Sequence, residues 1–146
     1  MKRKHLVLII ALVIGAAFAF NAPVALAKDL TKKDLVKEAK TKITEITPAQ
    51  AKAEMDKGGT VILDCREPSE YKAGHIPGAV NIPRGLLEFK IEKKIPERNA
   101  RILMYCKSGG RASLACCSID RMGYKNVVSI QGGWKAWEKA GYPVQK

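Results

Sequence analysis

Histidine is almost absent from this sequence. Only two occur in 146 residues, and His75 is the only one beyond position 5. A metal site built on paired imidazoles is thereby excluded, and no metal or other cofactor is expected. Aromatic residues make up just 6%, and the scattered lysines form no basic patch built with them. A solvated cationic face therefore fits better than a nucleic-acid surface. Acidic residues are few, 14 Asp+Glu against 26 Lys+Arg, which leaves a formal net charge of +12. Four cysteines are too few for a disulfide-built miniprotein but enough for chemistry. There is no internal repeat and no low-complexity tract. With 47% hydrophobic residues, a disordered tail, a collagen-like chain and a polytopic membrane protein are also excluded. The length allows one domain, or one domain behind a targeting segment.

The N-terminus has the layout of such a segment. Met1-Lys2-Arg3-Lys4-His5 is a cationic stub, Leu6 to Phe20 is an uncharged apolar run, and Ala25-Leu26-Ala27 supplies small residues at a cleavage site. This is the pattern of a secretory signal peptide over residues 1–27. Cleavage after Ala27 leaves 119 residues with a net charge of +9, exported to the periplasm or another extracytoplasmic space and free of the membrane. The competing reading is an uncleaved anchor, because Leu6 to Leu26 just reaches the ~20 apolar residues a bilayer needs. Pro23 and the Ala-x-Ala ending speak against it.

In the remaining chain, helical and strand patterns alternate. Residues 28–42 read as a leader with a thin amphipathic helix from Thr31 to about Lys40, either peripheral or mobile. Ile43–Ile46, Thr60–Asp64, Ala79–Ile82, Arg101–Cys106 and Asn126–Ile130 read as strands. Between them, helices are expected from Thr47 to Gly58, Glu67 to Lys72, Leu86 to Ile95, Arg111 to Met122 and Gly133 to Ala140. The expected fold class is α/β, a domain over residues 43–146 with a mostly parallel central sheet and helices on both faces. Sites in such sheets lie at the carboxyl ends of strands, which singles out Asp64–Arg66 and Cys106.

At the second of these ends stands Cys106-Lys107-Ser108-Gly109-Gly110-Arg111. A cysteine closes a buried strand, a glycine-bearing loop follows, and a helix begins. Loop N–H groups in such a turn converge into an anion-binding nest at the positive end of the helix. Lys107 and Arg111 add positive charge. These features favour thiolate over thiol and mark Cys106 as a candidate nucleophile that needs no catalytic histidine. The bland alternative is a buried structural cysteine at a strand end.

The chain resembles a single-domain rhodanese, a sulfurtransferase family. The loop Cys106 to Arg111 is similar to the family's active-site loop, with Cys first and Arg last. Asp64-Cys65-Arg66-Glu67-Pro68-Ser69-Glu70-Tyr71, followed by Gly74-His75-Ile76-Pro77-Gly78-Ala79-Val80-Asn81-Ile82-Pro83, resembles its second signature. Gly132-Gly133-Trp134 with Trp137, then Gly141-Tyr142-Pro143-Val144, resembles its ending. The resemblance covers about Ile43 to Val144. It implies transfer of a sulfane sulfur from a small anionic donor such as thiosulfate to a thiol or cyanide, through a persulfide on Cys106. Lys107 and Arg111 would attract the donor, and the amides of Ser108, Gly109 and Gly110 would hold the terminal sulfur. Related phosphatases carry one more residue between Cys and Arg, whereas this loop has four. A different class remains open, a non-catalytic binding or sulfur-carrier module of the same fold.

The other candidates are weighed against structural roles. Asp64 and Arg66 lie beside the expected pocket and read as an ion pair that holds the loop, with a supporting site role as the alternative. His75 reads as turn-holding. Arg84 serves equally as a donor contact or a surface residue. Trp134 and Trp137 read as core. Cys116 and Cys117 are adjacent on a helix, where side chains diverge by about 100°, and should be packed, reduced thiols. The resemblance implies that the strand ending at Asp64 lies beside the strand ending at Cys106, which would bring Cys65 near Cys106. Strand alternation argues instead for a packed Cys65 pointing into the opposite helix layer. On that reading Cys106 alone alkylates fast, and Cys65→Ala keeps activity.

Overall fold

The computed structural model describes residues 29–146. The segment read as a signal peptide, with its expected cleavage point after Ala27, lies outside them. The elements alternate along the chain: α1 (Lys32–Lys42), β1 (Thr44–Ile46), α2 (Pro48–Lys57), β2 (Thr60–Asp64), α3 (Pro68–Ala73), β3 (Val80–Asn81), a 3-10 turn (Arg84–Leu86) running into α4 (Leu87–Lys94), β4 (Arg101–Tyr105), α5 (Gly110–Arg121), β5 (Val127–Ile130) and α6 (Gly133–Lys139).

Local chemistry sets the helix starts. Thr31 and Asp34 cap α1 reciprocally, with Thr31 N donating to Asp34 Oδ2 at 2.9 Å and Asp34 N to Thr31 Oγ1 at 3.3 Å. Thr47 and Gln50 do the same for α2, at 2.8 and 3.2 Å, and Pro48 occupies the first turn. α5 has no such side-chain cap. Its cap residue is Gly109, in the left-handed region at φ +97°, so its first N–H groups are left for another acceptor.

The five strands form one parallel sheet in the order β1-β5-β4-β2-β3. Alternation along β4 sends Ile102 and Met104 into one core and Leu103 and Tyr105 into the other. α4 and α5 cover the first face, through Leu87, Ile91, Ala112, Ala115, Cys116 and Ile119. α2 and α6 cover the second, through Ala51, Met55, Trp134 and Trp137. The chain steps outward from β2 to β3, then returns to β4 and continues the other way to β5. The boundary between β2 and β4 is therefore where the winding reverses, the place where open α/β sheets bind ligands.

Three local expectations shift. β4 ends at Tyr105, so Cys106 opens the loop rather than closing the strand. Leu86 belongs to the 3-10 turn and not to the helix. The leader helix is packed rather than mobile: α1 lies on α5 with Ala39 buried, and Val36 sits over Gly110, where a Cβ would meet it at 3.6 Å.

Candidate active site

Cys106 lies at the carboxyl end of β4, with only 1% of its surface exposed. The chain turns over it through Gly109, whose backbone N–H donates to Cys106 Sγ at 3.2 Å. Gly109 O in turn receives Ser113 N at 2.9 Å and Ser113 Oγ at 3.0 Å, which locks the turn to α5. The neighbouring Cys65 thiol, together with backbone N–H groups of the loop and helix head, holds the Cys106 thiol down at about 5 against the opposing effect of burial. The Gly109 N–H at the head of α5 thus finds its acceptor in the Cys106 sulfur.

The loop is gripped from outside as well. At the start of α6, Trp134 N donates to Cys106 O at 2.7 Å and Lys135 N to Lys107 O at 3.1 Å. Gly133 comes so close that a Cβ there would stand 2.3 Å from Cys106 O, and its φ is +58°. No side chain fits that approach. The sequence marked Gly132-Gly133-Trp134 as a family signature, but nothing in the spacing indicates that these residues hold the loop.

Asp64 and Arg66 are buried and form the expected ion pair. Arg66 Nε reaches Asp64 Oδ1 and Oδ2 at 3.0 and 2.9 Å, and Nη2 reaches Oδ2 at 2.6 Å. Nη2 also donates to Gly74 O at 2.7 Å. The guanidinium lies over Trp134, 4.5 Å from the ring centroid, and 5.3 Å from that of Tyr105. The pair ties the end of β2 to the helix that grips the Cys106 loop.

The loop cations behave differently from one another. Lys107 and Ser108 are exposed. Arg111 does not turn back to the loop carbonyls. Its Nη1 and Nη2 donate to Glu70 Oε2 and Oε1 at 2.8 and 3.0 Å, and this partnership raises its already high pKa. Sequence reasoning did not single out Glu70; its position three residues after Glu67, where it caps α3, was the available signal. Beside Ser108, Gly110 and Arg111 opens a groove of about 790 Å³ whose other wall is α1, with Lys32, Lys33, Val36, Lys37, Lys40 and Thr41.

His75 holds a turn, as expected. Its backbone pairs with Gln145 in both directions, at 2.8 and 2.9 Å, and its ring stacks on Tyr71 at 3.7 Å. Arg84 pairs with Glu88 at 2.8 Å, while its backbone N–H donates to Cys65 O at 3.1 Å. Trp137 is fully buried. Among the described residues there is no cluster of three or more potential metal ligands, and no helix is long and apolar enough to cross a membrane.

Cys65 departs from its expected direction. It is fully buried, but on the Cys106 side of the sheet. β2 and β4 run in register, with Leu63 opposite Met104 and Asp64 opposite Tyr105. Cys65 therefore shares the parity of Cys106, and alternation sends both to one face.

The rhodanese-like domain family model matches residues 47–140. The chain belongs to the rhodanese-like domain family. A sulfurtransferase of Allochromatium vinosum is 32% identical over 89 residues, covering 61% of this chain and 81% of that protein. A thiosulfate sulfurtransferase of Pseudoalteromonas translucida is 34% identical over 96 residues, covering 65% and 89%. A solved structure from Rhodopseudomonas palustris, a protein of unknown function described as a possible tyrosine phosphatase, superimposes with a TM-score of 0.73 at 33% identity, covering 83% of this chain and all of that one. Other curated relatives are longer, and this chain spans 54% of one of them. The rhodanese-like match begins at Thr47, so α1 and β1 precede the part that the family model describes.

Proposed function

We propose that this rhodanese-like domain transfers sulfane sulfur from a small anionic donor, thiosulfate or a similar species, to a thiol or cyanide through a persulfide on Cys106. The observation that carries this reading is the contact between Cys106 Sγ and Gly109 N, 3.2 Å long, at the head of an otherwise uncapped helix. The thiolate attacks the outer sulfur of thiosulfate, the S–S bond breaks, and sulfite leaves with the bonding pair. The negative charge stays on the terminal sulfur, where Ser108, Gly109 and Gly110 present backbone amides. Lys107 and the cationic wall of α1 supply attraction for the dianion, while Arg111 is held by Glu70 and shapes the loop. Asp64 and Arg66 act as positioning residues. The reading includes export, with cleavage after Ala27, so that the enzyme works in an extracytoplasmic compartment.

The test is intact mass after exposure to thiosulfate. One added sulfur is expected on the native protein when the mass is taken immediately after loading, and none on Cys106→Ser, which should also lose cyanide-dependent thiocyanate formation by at least ~10³-fold, as removal of a covalent nucleophile does. Turnover retained by a folded Cys106→Ser would remove Cys106 from its role, and a silent native protein would leave a non-catalytic module. The likeness to a protein described as a possible phosphatase calls for a phosphate-ester assay alongside. The four-residue spacing between Cys106 and Arg111 predicts that it stays silent.

A further inference from the structure

Cys65 is a buried nucleophilic group that the proposed transfer leaves unused. The β2–β4 register pairs Asp64 with Tyr105, and Cys65 N donates to Tyr105 O at 3.0 Å. One step further along both chains sets Cys65 opposite Cys106. Neighbouring parallel strands lie about 4.8 Å apart, within the Cα separation of roughly 4.4–6.8 Å that a disulfide accepts. Both side chains enter the same buried cluster. The other two thiols are occupied elsewhere: Cys116 Sγ lies 4.0 Å from Met104 Sδ, and Cys117 Sγ lies 3.6 Å from Ala39 O, against α1. Cys65 has no exposed surface, which shields it from thiols in solution. The neighbouring Cys106 sulfur, with burial, pushes the Cys65 thiol well up.

We propose that Cys65 is a resolving thiol, which attacks Cys106 Sγ in the persulfide and releases the terminal sulfur as hydrosulfide. This rests on the persulfide reading above. The Cys65 sulfur forms a bond to Cys106 Sγ, the Cys106–sulfane bond breaks, and the Cys65 proton leaves with the departing sulfur. The sulfane sulfur is reduced to sulfide, and the two thiols are oxidised to a Cys65–Cys106 disulfide. Restoring the thiols takes a dithiol reductant from outside. The protein then has two exits for one persulfide: transfer when an acceptor arrives, and sulfide release when none does. The second exit leaves the site closed until it is reduced.

The experiment loads the protein with thiosulfate, removes excess donor, and withholds any acceptor. Hydrosulfide is measured with a bimane reagent, and the protein is then mapped without reduction. Native protein is expected to release close to one sulfide per loaded sulfur and to yield a Cys65–Cys106 cross-linked peptide. Cys65→Ser should keep the added sulfur and release sulfide at least tenfold more slowly, with Cys65→Ala as the second variant. A native protein that holds its persulfide with Cys65 unbridged overturns the proposal, as does equal release from the variants. A parallel arm with hydrogen peroxide separates the two readings. There Cys106 sulfenic acid condenses with Cys65 and expels water, so the cross-link should form without any sulfur donor. Sulfur loading without sulfide release overturns the resolving role alone. A peroxide cross-link in a protein that never loads sulfur overturns the sulfur-transfer reading, and the sulfide-release step with it.

Discussion

At the scale of single residues, the site turns on what surrounds one sulfur atom. Among the described residues no base favours the Cys106 thiolate; it is favoured by the Cys65 thiol and by backbone donors at the head of α5, and these outweigh burial. Since the thiolate is the reactive form, alkylation of Cys106 should be almost independent of pH from neutrality upward and should fall off only as the pH drops through about 5. Cys65→Ala removes one of the donors, so the midpoint should move upward. Rates of modification by a small alkylating reagent, read by peptide mass across the pH range, check both statements. A native midpoint at an ordinary thiol value would refute the first. The candidate nucleophile was legible from Cys-Lys-Ser-Gly-Gly-Arg because glycine turns and a following helix head are sequence features. The orientation of Cys65 was not, since strand parity carries meaning only once the partner register is known. Glu70 was missed for a similar reason: it lies 41 positions from Arg111, and the ion pair exists only in the folded chain.

At the scale of elements, two junctions hold the site. One is the buried Asp64–Arg66 pair, which links β2, the Gly74 turn and Trp134. Removing one partner leaves a buried charge uncompensated, so Arg66→Ala should lower stability by about 3–5 kcal/mol. A urea midpoint displaced strongly downward, with an unchanged slope, is the expected result; a shift under ~1 kcal/mol, as for a surface ion pair, would contradict the account. The other junction is α6 against the loop. Gly133→Ala places a methyl group 2.3 Å from Cys106 O and imposes a side chain at φ +58°. The loop must move, and with it Gly109 N. Sulfur transfer should fall by more than tenfold, since small displacements of a catalytic group are costly, while the sheet still folds. Wild-type kinetics in Gly133→Ala would show that the loop is not held from this side. Helix starts were readable from Thr31-x-x-Asp34 and Thr47-Pro48-x-Gln50 because capping is local. The grip of α6 was not, because a glycine required for close approach looks in sequence like any glycine in a turn.

At the scale of the whole molecule, alternating patterns told of a parallel sheet covered on both faces, and the site falls at the β2–β4 boundary where the winding reverses. Apart from the adjacency of β2 and β4 that the resemblance implied, the strand order was not legible, since the pattern of one strand does not name its neighbours. Charge is the other global property. The chain carries +12, and part of that excess is arranged: Lys32, Lys33 and Lys37 on α1 line the groove that Ser108, Gly110 and Arg111 close on the other side. α1 lies outside residues 47–140, the stretch that the rhodanese-like family model matches, and its lysines supply this wall. Its field should draw an anionic donor toward the Cys106 loop, and such steering weakens as salt shortens the Debye length to about 8 Å at physiological ionic strength. Accordingly, kcat/KM for thiosulfate should fall as salt is raised from 10 to 300 mM, roughly tenfold, with kcat at saturating donor little changed. In a triple variant with Lys32, Lys33 and Lys37 replaced by Gln, kcat/KM at low salt should drop and the salt dependence should flatten. Steady-state kinetics with both proteins over that range decide the matter: equal salt slopes would mean that the cations of α1 face the groove without guiding what enters it.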